Sequence, residues 1–334
     1  MEHRRVRYLI YMLVAMMIAL AGCGRRQQDK NPPGEARRDV VVFHAGSLSV
    51  PMSEIARMFE AEHPGVRVLL EAAGSRTCAR KISELGRHCD VMASADYRVI
   101  DNLLIPDHAD WEIRFAGNEM AIVYDERSRR AVEIDSLNWY EVLLDPDVAF
   151  GRSDPDSDPC GYRTVLTTRL AEQQYGVPGL ADRLLAKDTR FIRPKETDLL
   201  ALLESGAIDY IFLYRSVAMQ HGLHMVDLPG EIDLGDPAFA DLYATVSVEV
   251  SGTEPGTAIV QRGAPMVYAV TIPKNSPSPE LAAEFVAFML DPAKGLAVME
   301  RNGQPPLVPA PTDTYYRVPE SLRRYALPPA GKVR

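Results

Sequence analysis

From Asp39 onward the chain alternates short β-branched runs with segments whose apolar residues recur every three to four positions. Asp39-Val40-Val41-Val42-Phe43 predicts a strand. The stretch from Ser49 to about Glu62 puts Met52, Ile55 and Phe59 on one helical face, and His63-Pro64-Gly65 ends it. A second apolar run, Val66 to Leu70, leads through Gly74-Ser75 into a helix carrying Ile82 and Leu85, and Asp90-Val91-Met92 opens a third strand. This order predicts a mostly parallel sheet with helices on its faces. Such sheets bind ligands beyond the carboxyl ends of their strands, where helix N-termini gather.

A similar unit recurs in mid-chain: Val148-Ala149-Phe150, a helix after Cys160, Thr189-Arg190-Phe191-Ile192, a helix after Glu196, and Asp209-Tyr210-Ile211-Phe212. Two such units predict two α/β lobes, and 334 residues exceed what a single core comfortably holds. The continuously apolar stretches Met120–Tyr124 and Met266–Ile272 are candidate strands crossing between the lobes. Crossing and returning makes lobe 1 discontinuous, from residues 39–118 and 266–330, with lobe 2 from 119–265 and a hinge between them. Ser278 to Met299 reads as a last helix, its Leu281, Phe285 and Phe288 packing back on lobe 1.

The N-terminus changes the picture of where this domain works. Arg4, Arg5 and Arg7 precede an uncharged apolar run from Tyr8 to Ala21, the layout of a secretory signal peptide. That run is shorter than the ~20 residues a spanning helix needs, and no later segment is long and apolar enough to span. It ends in Leu20-Ala21-Gly22-Cys23, which resembles the lipobox of bacterial lipoproteins. The resemblance implies removal of residues 1–22, acylation of Cys23, and a polar, Pro-containing tether over 23–38, so that the domain is exported and held to the cell envelope by lipid. The net charge of −9, with no Lys/Arg-rich run outside the tether, disfavours a nucleic-acid partner. An acylated Cys23 leaves Cys78, Cys89 and Cys160. An oxidising compartment makes Cys78–Cys89 the candidate bridge. Cys78 falls in the first turn of a helix and Cys89 beyond its end, so the ~5.5–6 Å Cα separation that a disulfide needs stays open.

Candidate chemistry lies at four places that share one local grammar, a strand end, a small or hydroxyl residue, and a helix start. They are Ala45-Gly46-Ser47, Ala73-Gly74-Ser75, Asp158-Pro159-Cys160-Gly161 and Lys195-Glu196-Thr197. A helix N-terminus offers unpaired amides and partial positive charge, so four converging ones could bind an anion without Lys or Arg. A lone Ser before a helix is more often a simple cap; two such starts in each lobe is the distribution a cleft site requires. His221 and His224 have a spacing that suits a metal, but no neighbouring Cys or carboxylate completes a set. Cys160 lacks an identifiable base or orienting group for a nucleophile's role. Arg163 and Arg215 read as ties between loops.

Several blocks carry a family resemblance: His44-Ala45-Gly46-Ser47-Leu48, Ala73-Gly74-Ser75, Ala93-Ser94-Ala95-Asp96-Tyr97, Asp158 to Arg163, Arg193-Pro194-Lys195-Glu196-Thr197-Asp198-Leu199, Tyr214-Arg215-Ser216-Val217-Ala218 and Asn302-Gly303-Gln304-Pro305-Pro306. In order, from about Val40 to Pro306, they resemble the extracellular tungstate/molybdate-binding proteins of ABC transporters, in the branch first known from archaea. The resemblance implies a type II periplasmic-binding fold, two α/β lobes joined by crossing hinge strands, that shuts on the oxyanion. It implies a monomer without catalysis or cofactor that passes its ligand to a membrane permease. By position, Ser47 and Ser75 match hydroxyl and amide donors of the first lobe, Cys160 a backbone-amide donor, and Tyr214 a tyrosine donor. Two carboxylates near the metal of the oxyanion map to Asp158 and Glu196. Asp154 and Asp156 crowd the loop of the first, and Glu231 is the alternative to the second. The competing functions are a binding protein for sulfate or phosphate and, in another class, a secreted hydrolase using Cys160 or an acidic pair.

Overall fold

A computed structural model of the chain describes residues 38–254 and 256–329. The expected leader, the acylation site at Cys23 and the tether up to residue 37 lie outside the described residues. The first strands and helices follow the apolar pattern closely. Strand β1 (Arg38–Ala45) leads into helix α1 (Ser49–Glu62), β2 (Val66–Ala73) into α2 (Ser75–Ser83), and β3 (Val91–Ser94) into α3 (Tyr97–Leu103). Met52, Ile55 and Phe59 are the buried face of α1. After β4 (Ile113–Gly117) the chain builds a second set: β5 (Met120–Tyr124), β6 (Phe150–Ser153), α4 (Pro159–Tyr175), β7 (Ile192–Arg193), β8 (Tyr210–Tyr214), α5 (Arg215–His221) and β9 (His224–Asp227). A hairpin, β10 (Ser247–Ser251) and β11 (Ala258–Arg262), precedes β12 (Val267–Thr271).

Two five-stranded sheets result, ordered β2-β1-β3-β12-β4 and β7-β6-β8-β5-β9. Three strands of each run parallel: β1 with β2 and β3, and β6 with β7 and β8. Strands β12 and β5 run antiparallel to their neighbours. Each continuously apolar stretch is an interior strand of one sheet, β5 in the second and β12 in the first, which explains its unbroken hydrophobicity. The crossings themselves are the short links that lead into them, Asn118-Glu119 and Gly263 to Met266. A third segment braces both: Asp233 O accepts from Met120 N and Leu234 O from Met266 N, each at 2.8 Å.

The segment read as one last helix is two, α6 (Pro279–Met289) and α7 (Gly295–Arg301). Pro292, which has no amide hydrogen to donate, lies in the break. The apolar face of α6 packs on the first sheet's helix as the spacing required: Phe285 and Phe288 stand edge-on to Phe59 at ring-centroid distances of 5.2 and 5.4 Å.

One buried acid near the first sheet gives a pH dependence. Glu112 is fully enclosed, accepting from Thr312 Oγ1 at 2.5 Å and Arg114 Nε at 3.2 Å, while its Oε2 has no partner among the described residues. Burial raises its pKa to about 7, and Arg114 and Thr312 offset this only in part. An acid whose pKa is higher folded than unfolded stabilises while protonated. That contribution is complete below 4.5 and is lost as pH rises through about 7. Glu112→Gln should therefore flatten the fall in melting temperature between about pH 5 and about pH 8. Parallel melting curves for parent and variant would assign the fall elsewhere.

Candidate functional site

The predicted helix starts do gather at the carboxyl ends of the parallel strands, on both sheets. From the first sheet, β1 passes through Gly46 and Ser47 into α1, β2 through Gly74 into Ser75 at the head of α2, and β3 into Asp96, which caps α3 by accepting Arg98 N at 3.0 Å. Ser47 and Ser75 are fully buried. Neither side chain caps its helix: Ser47 Oγ lies 2.8 Å from Tyr268 Oη, and Ser75 Oγ accepts from Ala95 N at 3.0 Å. From the second sheet, β6 ends at Ser153 and the loop after it brings Asp158 to the N-terminus of α4. There Asp158 Oδ1 accepts Cys160 N at 3.2 Å and Oδ2 accepts Glu196 N at 2.9 Å. Strand β8 ends at Tyr214, whose hydroxyl accepts from Arg163 Nη1 at 2.9 Å. The Cys160 thiol is buried and directed to Phe212 O at 3.6 Å, and its amide is engaged by Asp158.

The alternatives for the carboxylates are placed elsewhere. Asp154 accepts within its own loop from Asp156 N and Ser157 Oγ, and Asp156 accepts from Ser251 N at 2.6 Å and Ser251 Oγ at 2.8 Å. Glu231 adjoins Ile232, whose carbonyl accepts from Thr167 Oγ1 at 3.0 Å, about two helical turns along α4 from Cys160. It is Glu196 that meets Asp158.

Glu196 also bridges the two sides. Its carboxylate lies against Gly46, where a Cβ would come within 2.8 Å of each oxygen, and neither oxygen has a well-formed hydrogen bond among the described residues. At Gly74 a Cβ would stand 2.3 Å from Ser157 O and 2.9 Å from Pro194 O. Only glycine lets the two loop sets approach so closely. Burial first, and the Asp158 charge second, push the Glu196 carboxyl far above the ordinary range. Burial also raises Asp158, but the Glu196 carboxyl beside it and the amides of Cys160 and Glu196 draw it back. Burial and the neighbouring charge therefore favour the neutral form of Glu196 more than that of Asp158.

Further contacts fasten the two sides together around this pair. Arg163 Nη2 pairs with Asp96 Oδ2 at 3.1 Å, Tyr162 Oη donates to the same oxygen at 2.7 Å, and Arg163 Nη1 donates to Ala95 O at 2.9 Å. Such a fully hydrogen-bonded pair is one that can offset its own desolvation. Arg76 Nε reaches Asp156 O at 3.1 Å and Arg80 Nη2 reaches Ser251 Oγ at 2.7 Å. Arg215 ties Glu119 and Asp227 at the surface. Sequence reasoning gave no role to Asp96, Asn118 or Tyr268. Asn118 was legible only as the one uncharged polar residue between two apolar strands, and Tyr268 reads as core within its apolar run.

The candidate bridge is not formed. Cys78 and Cys89 are buried free thiols in one apolar cluster behind α2. Cys78 Sγ is turned to His44 O at 3.7 Å, and burial raises its pKa to about 12.

With this geometry in hand, the profile of the bacterial extracellular solute-binding proteins matches residues 40–303. The chain belongs to that family. Its relatives are binding proteins: an uncharacterized solute-binding protein of Petrotoga mobilis is 51% identical, over 86% of this chain and 89% of its own. The molybdate/tungstate-binding protein of Pyrococcus abyssi is 38% identical, over 93% of this chain and 95% of its own. The periplasmic molybdate-binding protein of Azotobacter vinelandii superposes with a TM-score of 0.57 at 16% identity, covering 79% of this chain and 98% of that one. That likeness is one of fold, the two-lobed type II architecture. As an extracellular solute-binding protein the chain works outside the cytoplasm.

Proposed function

We propose that this solute-binding protein captures tungstate or molybdate between two lobes, residues 39–118 with 266–330 and residues 119–265, and delivers it to an ABC importer. The observation that carries the reading is the Glu196 carboxyl, buried over Gly46 of the first lobe with Asp158 of the second beside it. Two carboxyls enclosed side by side where the two loop sets meet place acceptor oxygens where a ligand's metal can use them. In this reading Ser47, Ser75 and Tyr214 donate to the oxyanion, the helix start at Cys160 faces it, and Asp158 and Glu196 add oxygens to its metal. The name of the Pyrococcus abyssi relative supports the same ligand. Acylation at Cys23, after loss of residues 1–22, would hold the protein beside its permease.

Calorimetric titration with tungstate, molybdate, sulfate and phosphate tests the proposal. Heat from the first two and none from the others is expected; binding of sulfate or phosphate alone would overturn it. Ser47→Ala and Ser75→Ala should each weaken tungstate binding by about 1.5–3 kcal/mol, the scale of a hydrogen bond to a charged group, with the fold unchanged. Parent-like affinity in both would leave the two hydroxyls as structural groups only.

A further inference from the structure

The hydroxyls at the site have a fixed polarity, and groups behind them set it. Asn118 Oδ1 accepts backbone hydrogens from Glu119 N at 3.0 Å and Ser216 N at 3.4 Å, which orients the amide. Its Nδ2 then faces Ser216 Oγ at 2.7 Å and Tyr268 Oη at 2.9 Å. An amide nitrogen only donates, so Tyr268 Oη accepts from it. Tyr268 is fully buried, and the one acceptor its own hydrogen can reach among the described residues is Ser47 Oγ at 2.8 Å. A buried hydroxyl hydrogen left unpaired is costly, so Tyr268 donates and Ser47 accepts. The Ser47 hydrogen is left with no acceptor among the described residues. Tyr214 is in the same condition: the Arg163 guanidinium, donor-only, occupies its oxygen at 2.9 Å, and its hydrogen has no acceptor among the described residues.

We infer that Asn118, acting through Tyr268, and Arg163 are positioning residues that fix Ser47 and Tyr214 as hydrogen donors, so that these positions take bare, unprotonated oxyanion oxygens. The inference rests on the reading of Ser47 and Tyr214 as ligand donors. It adds the reason that they can only donate. A protonated oxygen of a ligand would set hydrogen against hydrogen there.

Tyr268→Phe tests the relay, since the ring stays in place against Phe115 and Tyr214 and one oxygen is lost. Tungstate affinity should fall about tenfold in the parent background and change little in the Ser47→Ala background, because the relay acts only through Ser47. Equal losses in both backgrounds would show that Tyr268 serves packing alone and would overturn the relay. Asn118→Leu supplies the same cycle should Tyr268→Phe fail to fold: its loss should likewise vanish with Ser47→Ala, and an undiminished loss overturns the relay. A parent that binds neither tungstate nor molybdate defeats the ligand assignment itself. A parent that binds while both cycles are additive defeats the relay alone.

Discussion

Gly74→Ala should cost the protein tight tungstate binding, of the order of a hundredfold, without unfolding it. The backbone at Gly74 has φ −57° and ψ 140°, a conformation any residue adopts, so alanine brings no local strain. Its methyl group would collide first where the two sides touch, 2.3 Å from Ser157 O and 2.9 Å from Pro194 O. Both are backbone carbonyls of loops from the second sheet, and neither can swing aside as a side chain would. The two lobes must then stop short of the closed arrangement, and donors from opposite sides can no longer reach one anion together. Small-angle scattering should show the parent contracting with tungstate and the variant not. Gly46→Ala is the contrast: its methyl group meets the tip of the Glu196 side chain at 2.8 Å, which has torsions to yield, so the lobes should still contract although the displaced carboxylate weakens binding. A Gly74→Ala protein that binds and contracts like the parent would show that this approach is not part of capture.

Much of this was legible because the apolar period is strong where helices lie on sheets. Helix α1 begins and ends where Ser49 and His63-Pro64-Gly65 indicate, and the helix starts at Ser75, Asp158 and Glu196 fall where small and polar residues interrupt apolar runs. What escaped is what periodicity does not encode. The direction of β5 and β12 depends on which side of a sheet the chain re-enters, and an interior strand is apolar whichever way it runs. The break at Pro292 was hidden because apolar spacing continues on both sides of it. At the site, contacts between the two sides join residues as far apart as Ser47 and Tyr268, or Asp96 and Arg163, and no local pattern announces them. The carboxylate pair came from resemblance alone. Geometry then separated Asp158 from Asp154 and Asp156, because only Asp158 turns both oxygens to amides across the pair of loops.

Glu196→Gln should weaken tungstate binding by about ten- to a hundredfold while sulfate binding, if measurable, stays or improves. The expectation begins from a contradiction: carboxylates in a dry cleft should repel a dianion. Tungsten(VI) and molybdenum(VI) are large Lewis acids that can add oxygen ligands beyond four, whereas sulfur and phosphorus do so far less readily. A carboxylate oxygen can then be a ligand to one oxyanion and an unpaired charge against the other, which is discrimination by opposite signs. Glu196 is the cleaner probe of the pair, because its side chain does not hold the amides of two loops together as Asp158 does. Asp158→Asn should also weaken binding, but it places an amide NH2 toward the N–H of Cys160 or Glu196 and loosens both loops at once. A rival account keeps the Glu196 proton and uses it as a hydrogen-bond donor to the anion. Glutamine also donates, so under that account the substitution would leave tungstate affinity nearly unchanged. Calorimetry on Glu196→Gln with tungstate and sulfate separates the two: selective loss of tungstate supports ligation of the metal, and retained tungstate affinity in a folded variant removes Glu196 from its coordination.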